Sequence, residues 1–185
     1  MTTYFSTNDP VASIVGAIRD VMTKPGDFFA NMPAGKDYGN SVVFLVITLL
    51  IPFLMMLFPA GGIGLLILPV AVVFMLLMAW LWAWYLGWAV RRFCHGNLST
   101  ADAFQICAYS NAPNLLAWIP VLNIVASFWT LFLEWRGLVS FARIRSGQAI
   151  AVLLVPLVVI FISAAILGVL LGIMMEQYGI TLPGA

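Results

Sequence analysis

The chain has 185 residues, of which 63% are hydrophobic and only 8% charged, with a net charge of +1. A globule of that size still shows a large exterior to water, so this composition excludes an ordinary soluble domain and makes the bilayer the solvent for most of the chain. The small net charge offers nothing to nucleic acid or another polyanion, and two cysteines are too few for a disulfide framework.

Residues 1–40 read as a cytoplasmic segment, and they lack the ordered n-region, h-region and small-residue cleavage site of a removable signal. The first span is expected to serve as its own insertion signal. Asn8 or Asp9 can cap a helix over about residues 10–23, which Pro10 opens at its first position. Val11, Ile14, Val15, Ile18 and Met22 fall on one face of it at helical spacing, and Lys24-Pro25-Gly26 ends it. That stripe suits an in-plane helix in the headgroup region, and equally a docking surface for a cytoplasmic protein partner.

A first span follows at residues 41–58, with a reversal at Pro59-Ala60-Gly61-Gly62 and a second span at 63–90. Trp80, Trp84 and Trp88 form an aromatic stripe at its cytoplasmic end, just before Arg91 and Arg92. Cys94-His95 is the sole Cys/His pairing, and a zinc site needs three or four ligands, so no metal or other cofactor is expected. Residues 98–145 fit either one span or a hairpin of two turning at Pro120-Val121-Leu122-Asn123. Charge decides: with two spans, all eight basic residues share one side of the membrane. Ser99-x-x-Asp102 also reads as a helix start where the hairpin needs one. The spans are therefore about 100–119 and 123–142, then 149–175, leaving 176–185 as an extracytoplasmic tail.

The third span carries Pro113, which breaks the backbone ladder and leaves the Tyr109 carbonyl free, with Ser110, Asn111 and Asn114 placed to help satisfy it. In the fourth, Asn123, Ser127, Thr130 and Glu134 lie within about 40° of one direction at 100° per residue. A carboxylate in hydrocarbon must face the bundle interior, a cavity or a cation, so the stripe is either interhelical glue or the lining of a polar path. Arg136 points about 160° away from Glu134 and snorkels to the headgroups. The fifth span carries Ala164, Gly168 and Gly172, a small-residue face for close helix packing within one chain or between two. A single histidine and no phosphate-binding loop leave enzyme chemistry without a constellation.

Pro25-Gly26-Asp27-Phe28-Phe29-Ala30-Asn31-Met32 resembles the P-x-x-F-F-x-x-M entry segment of bacterial members of the Yip family. The eukaryotic relatives of these proteins are the Ypt/Rab-interacting multispan proteins. Phe104 to Pro113 is similar to that family's F-x-x-x-A-Y-x-x-x-P third span. Trp129 to Leu138, then Ser146-x-Gln148-Ala149, resembles its fourth span and the link into the fifth. The likeness runs over roughly residues 14–172. It implies five spans, a cytoplasmic N-terminus, no enzymatic activity, and a role in membrane shaping or partner recruitment, often through oligomers.

The expectation is thus an all-α integral membrane protein of five transmembrane helices preceded by a short amphipathic in-plane helix. It sits in a bacterial cytoplasmic membrane with its C-terminus outside, in contact with the lipid bilayer. The function expected is non-enzymatic: organising membrane or recruiting partners, with a homo-oligomer and a cytoplasmic protein at the N-terminal helix as candidate associations. The alternative is a small channel or transporter for a proton, cation or small solute along the Asn123, Ser127, Thr130 and Glu134 stripe.

Overall fold

The computed structural model describes residues 3–35, 38–57 and 62–177, and no strand occurs among them. The helices are α1 (Pro10–Thr23), α2 (Pro25–Ala30), α3 (Tyr38–Leu57), α4 (Gly62–Phe93), α5 (Thr100–Ser110), α6 (Pro120–Phe141) and α7 (Ser146–Gln177). A 3₁₀ turn over Ala112–Leu116 joins α5 to α6. The reversal expected at Pro59-Ala60-Gly61-Gly62 and most of the tail at 176–185 lie outside the described residues.

Among the described residues four helices are long and apolar enough to cross a membrane, over Tyr38–Met55, Leu68–Phe93, Pro120–Phe141 and Ser146–Leu170. The third expected span differs. Its helix stops at Ser110 after 11 residues, about 17 Å, because Pro113 cannot continue the ladder and the chain tightens into the 3₁₀ turn. The turn expected at Pro120–Asn123 is also displaced. Pro120 is the first residue of α6, where its missing N–H costs nothing, and the reversal falls on residues 117–119.

The core gathers around α5, every residue of which from Asp102 to Ser110 is buried. Its walls are the ends of the long helices nearest the basic residues. These contribute Phe44 and Leu45 of α3, Leu86 and Val90 of α4, Leu133 and Leu138 of α6, and Ala149 and Leu153 of α7. Ala79, Ala83 and Gly87 form a small-residue row on α4. Gly87 abuts the Leu98 carbonyl at the entry to α5, and a Cβ there would meet that oxygen at 3.5 Å. Small side chains let two backbones approach this closely. Trp80, Trp84 and Trp88 occupy the adjacent row and face outward.

Away from this core the helices are bare. On α7, Leu154, Val158, Phe161, Ile162, Ile166 and Leu170 are all exposed, so this half of the helix shows apolar side chains on every face. A helix apolar all round is at home only in hydrocarbon.

Two glycines mark the difference between the halves. A Cβ on Gly137 would sit 2.6 Å from Ile106 Cγ2, whereas one on Gly168 meets nothing within 4 Å. Gly137→Leu is expected to destabilise the protein by about 1–3 kcal/mol through overpacking, while Gly168→Leu leaves the apparent melting temperature unchanged. Thermal unfolding of both variants in the same detergent checks this.

Candidate functional site

Glu134 sits one helical turn before Gly137, where α6 faces α5 and α4. Its carboxylate is buried, at 5% exposure. The Trp82 indole N–H donates to both oxygens, at 3.1 Å to Oε1 and 3.3 Å to Oε2. The Cys107 thiol of α5 lies near enough to interact electrostatically with it. A charged carboxylate on a membrane helix costs roughly 2.5–3.5 kcal/mol by insertion scales, and a hydrogen bond to a charged group returns about 1.5–3 kcal/mol. One tryptophan can therefore offset most of the burial. Arg136 turns away, its guanidinium 5.7 Å from the centre of the Trp135 ring.

The other three residues of the stripe are not gathered with Glu134. Asn123 and Ser127 are exposed on the bare half of α6, and the Ser127 hydroxyl donates back to the Asn123 carbonyl at 2.8 Å. Thr130 is half-buried, and its hydroxyl has no hydrogen-bond partner among the described residues. α6 is packed mainly over its second half, so the face that carries these residues passes from exposed at Asn123 and Ser127 to buried at Glu134.

The break in the third segment is satisfied by its own side chains. The Asn111 side-chain amide donates to the Cys107 carbonyl at 2.8 Å, and Asn114 donates to Asn111 Oδ1 at 2.6 Å. The Cys107 carbonyl thus accepts both the Asn111 side-chain amide and, at 3.2 Å, the Asn111 backbone N–H. Ser110 is fully buried and its hydroxyl has no partner among the described residues, and Pro113 is buried in the 3₁₀ turn. Tyr109 is the hub of an aromatic cluster, with Phe44 at 4.8 Å, Phe28 at 5.1 Å and Tyr4 at 6.3 Å between ring centres.

That cluster binds the N-terminal segment to the bundle. Tyr4 donates its hydroxyl to the Phe28 carbonyl at 2.9 Å, and Thr3 N–H donates to Asp20 at 2.7 Å. α1 buries Ser13, Ala17 and Val21 and leans Ile14, Ile18 and Met22 against the core, while Val11 and Val15 are 75% and 62% exposed. The stripe read from spacing is therefore split between two surroundings. Ser13, Ala17 and Val21 make the close contact, and Val11 and Val15 face outward. The signal for this lay in the i, i+4 row of Ser13, Ala17 and Val21, whose first two members hydropathy undervalues.

Asp102 is a residue that motif reasoning placed only as part of a cap. Ser99 Oγ does accept from Asp102 N–H at 3.1 Å, but the Asp102 carboxylate also accepts the Gly35 N–H at 2.7 Å. Gly35 has φ of +61°, a conformation that glycine adopts without strain. Asp102 so ties the segment leading into α3 to the start of α5. On α7, Ala164 and Gly168 are exposed, and the surroundings of Gly172 lie outside the described residues.

Among the described residues this arrangement holds two buried acids, Glu134 and Asp102, each accepting from an N–H donor. Burial pushes the Cys94 thiol above its ordinary value, which withholds the thiolate that nucleophilic chemistry needs. Among the described residues no group of three His, Cys, Asp or Glu side chains could hold a metal ion.

A family model described as the Yip1 domain matches residues 19–167. No curated protein and no solved structure matches the chain.

The Trp82–Glu134 pair is separable by substitution. Glu134→Gln keeps a carbonyl oxygen to accept the indole N–H, so its apparent melting temperature is expected to stay near wild type. Trp82→Phe strands the carboxylate and is expected to cost about 1–3 kcal/mol. The double variant should recover part of that loss, as read by thermal unfolding of all four proteins in one detergent.

Proposed function

Since the chain belongs to the Yip family of multi-pass membrane proteins, matching its Yip1 domain over residues 19–167, we propose that it acts without enzymatic chemistry, as a membrane-organising or adaptor protein that self-associates and recruits a cytoplasmic partner. Proteins of this family are in general non-enzymatic. One observation carries the reading: the buried carboxylates are held by donors within the bundle, whereas apolar surface is left outward. Glu134 is taken by Trp82, Asp102 by Gly35, and the Tyr85 hydroxyl by the Val152 carbonyl at 2.9 Å. Val11 and Val15 of α1 and the bare half of α7 remain for lipid or protein.

The topology that goes with this reading has five spans, the third being α5 with its 3₁₀ turn. Their rises sum to about 27 Å, against roughly 30 Å of hydrocarbon. Arg91 and Arg92 close α4 as Arg136, Arg143 and Arg145 close the α6 side, at the same end of the bundle as Lys24. The positive-inside rule puts that end, with the N-terminus, in the cytoplasm and the C-terminus outside. α1 then lies in the headgroup plane with Val11 and Val15 outward, and Ala164 and Gly168 of α7 offer the self-association face. A bacterial cytoplasmic membrane is the setting the sequence resemblance favours.

Three measurements test it. Val11→Asp with Val15→Asp is expected to abolish crosslinking from α1 to its partner at unchanged thermal stability, because neither valine is buried. Gly168→Leu is expected to convert an oligomer to monomer in crosslinking of vesicle-reconstituted protein. Proton and cation flux into those vesicles should equal that of protein-free vesicles. Flux through wild type that vanishes in Glu134→Gln would replace the adaptor reading with a transport one.

A further inference from the structure

We infer that the α4–α5 and α6–α7 loops together form a site for the headgroup of a net-anionic phospholipid. Three long apolar helices meet here, α4 and α6 ending at Phe93 and Phe141 and α7 beginning at Ser146. The intervening residues, 94–99 and 142–145, can reach no more than about 10 Å beyond the helix ends, so they stay at the membrane surface. The two loops are one unit. A Cβ on Gly96 would sit 3.0 Å from Ile144 Cγ2 and 3.7 Å from the Ala142 carbonyl oxygen, so the backbones touch at Gly96. His95 and Arg143 flank that contact, and both are exposed.

The backbone marks these two residues. His95, just past the end of α4, has φ of 54°, and Arg143, just past the end of α6, has φ of 52°. Glycine takes that conformation without strain and is the usual residue where a helix ends this way. Other residues held there recur at ligand clamps and switch regions, and here both are side chains that can donate hydrogen bonds to an anion. The loops that carry them are pinned. Gly96 N–H donates to the Val90 carbonyl at 3.3 Å, the Arg145 N–H donates to Gln148 Oε1 at 3.2 Å, and Ile144 is buried.

Charge selects an anion. Arg91, Arg92, Arg143 and Arg145 are exposed, and among the described residues none is paired with a carboxylate. The acids nearest them in sequence are already engaged, Asp102 by Gly35 and Ser99 and Glu134 by Trp82. Arg91 is held in place by donating to the Leu98 carbonyl, which leaves its guanidinium with further N–H groups for an acceptor. A zwitterionic headgroup suits this surface poorly, because its ammonium finds no open carboxylate. Neighbouring rings then select a lipid. Trp88 and Phe93, at the same end of α4, are 43% and 60% exposed with ring centres 5.4 Å apart. An inorganic phosphate or an acidic peptide matches the charge alone. A phospholipid lays its phosphate on the arginines and its glycerol and upper acyl carbons on the rings.

The site requires that α4, α6 and α7 cross the bilayer and is independent of the adaptor reading. The test titrates the full chain, in an uncharged detergent, with phosphatidylglycerol or phosphatidylcholine and counts the lipids retained by native mass spectrometry. The first phosphatidylglycerol is expected to bind at least about tenfold more tightly than phosphatidylcholine, a preference of about 1.4 kcal/mol. His95→Gly with Arg143→Gly should cut that preference at least about threefold in a protein that stays folded, since glycine fits both backbones. Arg92→Gln with Arg145→Gln, which leaves those backbones alone, should do the same. Arg19→Gln, which removes a charge from the exposed side of α1, should leave the preference intact. Equal binding of the two lipids to wild type, or a full preference in both loop variants, would overturn the proposal. An equal loss in Arg19→Gln would mean diffuse attraction and also overturn it. So would displacement of phosphatidylglycerol by excess inorganic phosphate or a tetraglutamate peptide at constant ionic strength, which would assign the surface to a soluble anion or an acidic protein.

Discussion

Everything in this bundle is arranged around a helix that is too short. α5 is buried from Asp102 to Ser110, and in hydrocarbon a buried segment must satisfy its own backbone or have neighbours do so. Ser99 caps its start, Asp102 reaches back to Gly35, and at its other end the Asn111 side chain takes the Cys107 carbonyl. With both ends closed chemically, α5 can act as a wedge. α3, α4 and α6 pack on it, and the N-terminal segment closes the remaining side through the rings of Tyr4, Phe28, Phe44 and Tyr109.

The consequence is a molecule of two unlike halves. Toward the basic end, small residues such as Ala83, Gly87, Ala103 and Gly137 allow backbones to meet, and the buried rings fill what remains. Toward the other end, where α5 is missing, α3, α4 and α6 lose their common partner, and they and α7 present apolar side chains outward. In water this would be an aggregation surface. In lipid it costs nothing, since acyl tails are as apolar as leucine, and packing there must come from close fit or from polar bonds rather than from hydrophobicity.

Glu134 belongs to the tight half and shows the same logic. Its carboxylate is placed where α4 supplies a single N–H donor and α5 supplies a thiol, with Arg136 turned aside onto Trp135. A polar group so enclosed specifies which face of α6 meets α4, because any rotation of the helix would leave the acid in hydrocarbon without its indole. That is a registry role, of the kind buried polar residues have in helical assemblies.

Much of this was legible in residue order alone. Composition made the bilayer the solvent, hydropathy and charge laid out five expected spans, Ser99 and Pro113 marked the start and the break of the third segment, and the motifs from Pro25 to Ala149 carried the family. The local rules worked because they concern groups within one turn of each other: a cap, a missing N–H, a run of apolar residues. Periodicity also aligned Glu134 with Asn123, Ser127 and Thr130, but it could not say that α6 is packed over only half its length. What the tertiary structure alone decided was which neighbour each face meets: Trp82 for Glu134, Gly35 for Asp102, and Ser13, Ala17 and Val21 rather than Val11 and Val15 for the buried side of α1. These pairings span 52 residues in the first case and 67 in the second. Distant pairings follow from where the helices can approach one another, and that is set by the volume of whole side-chain rows rather than by any single residue's preference.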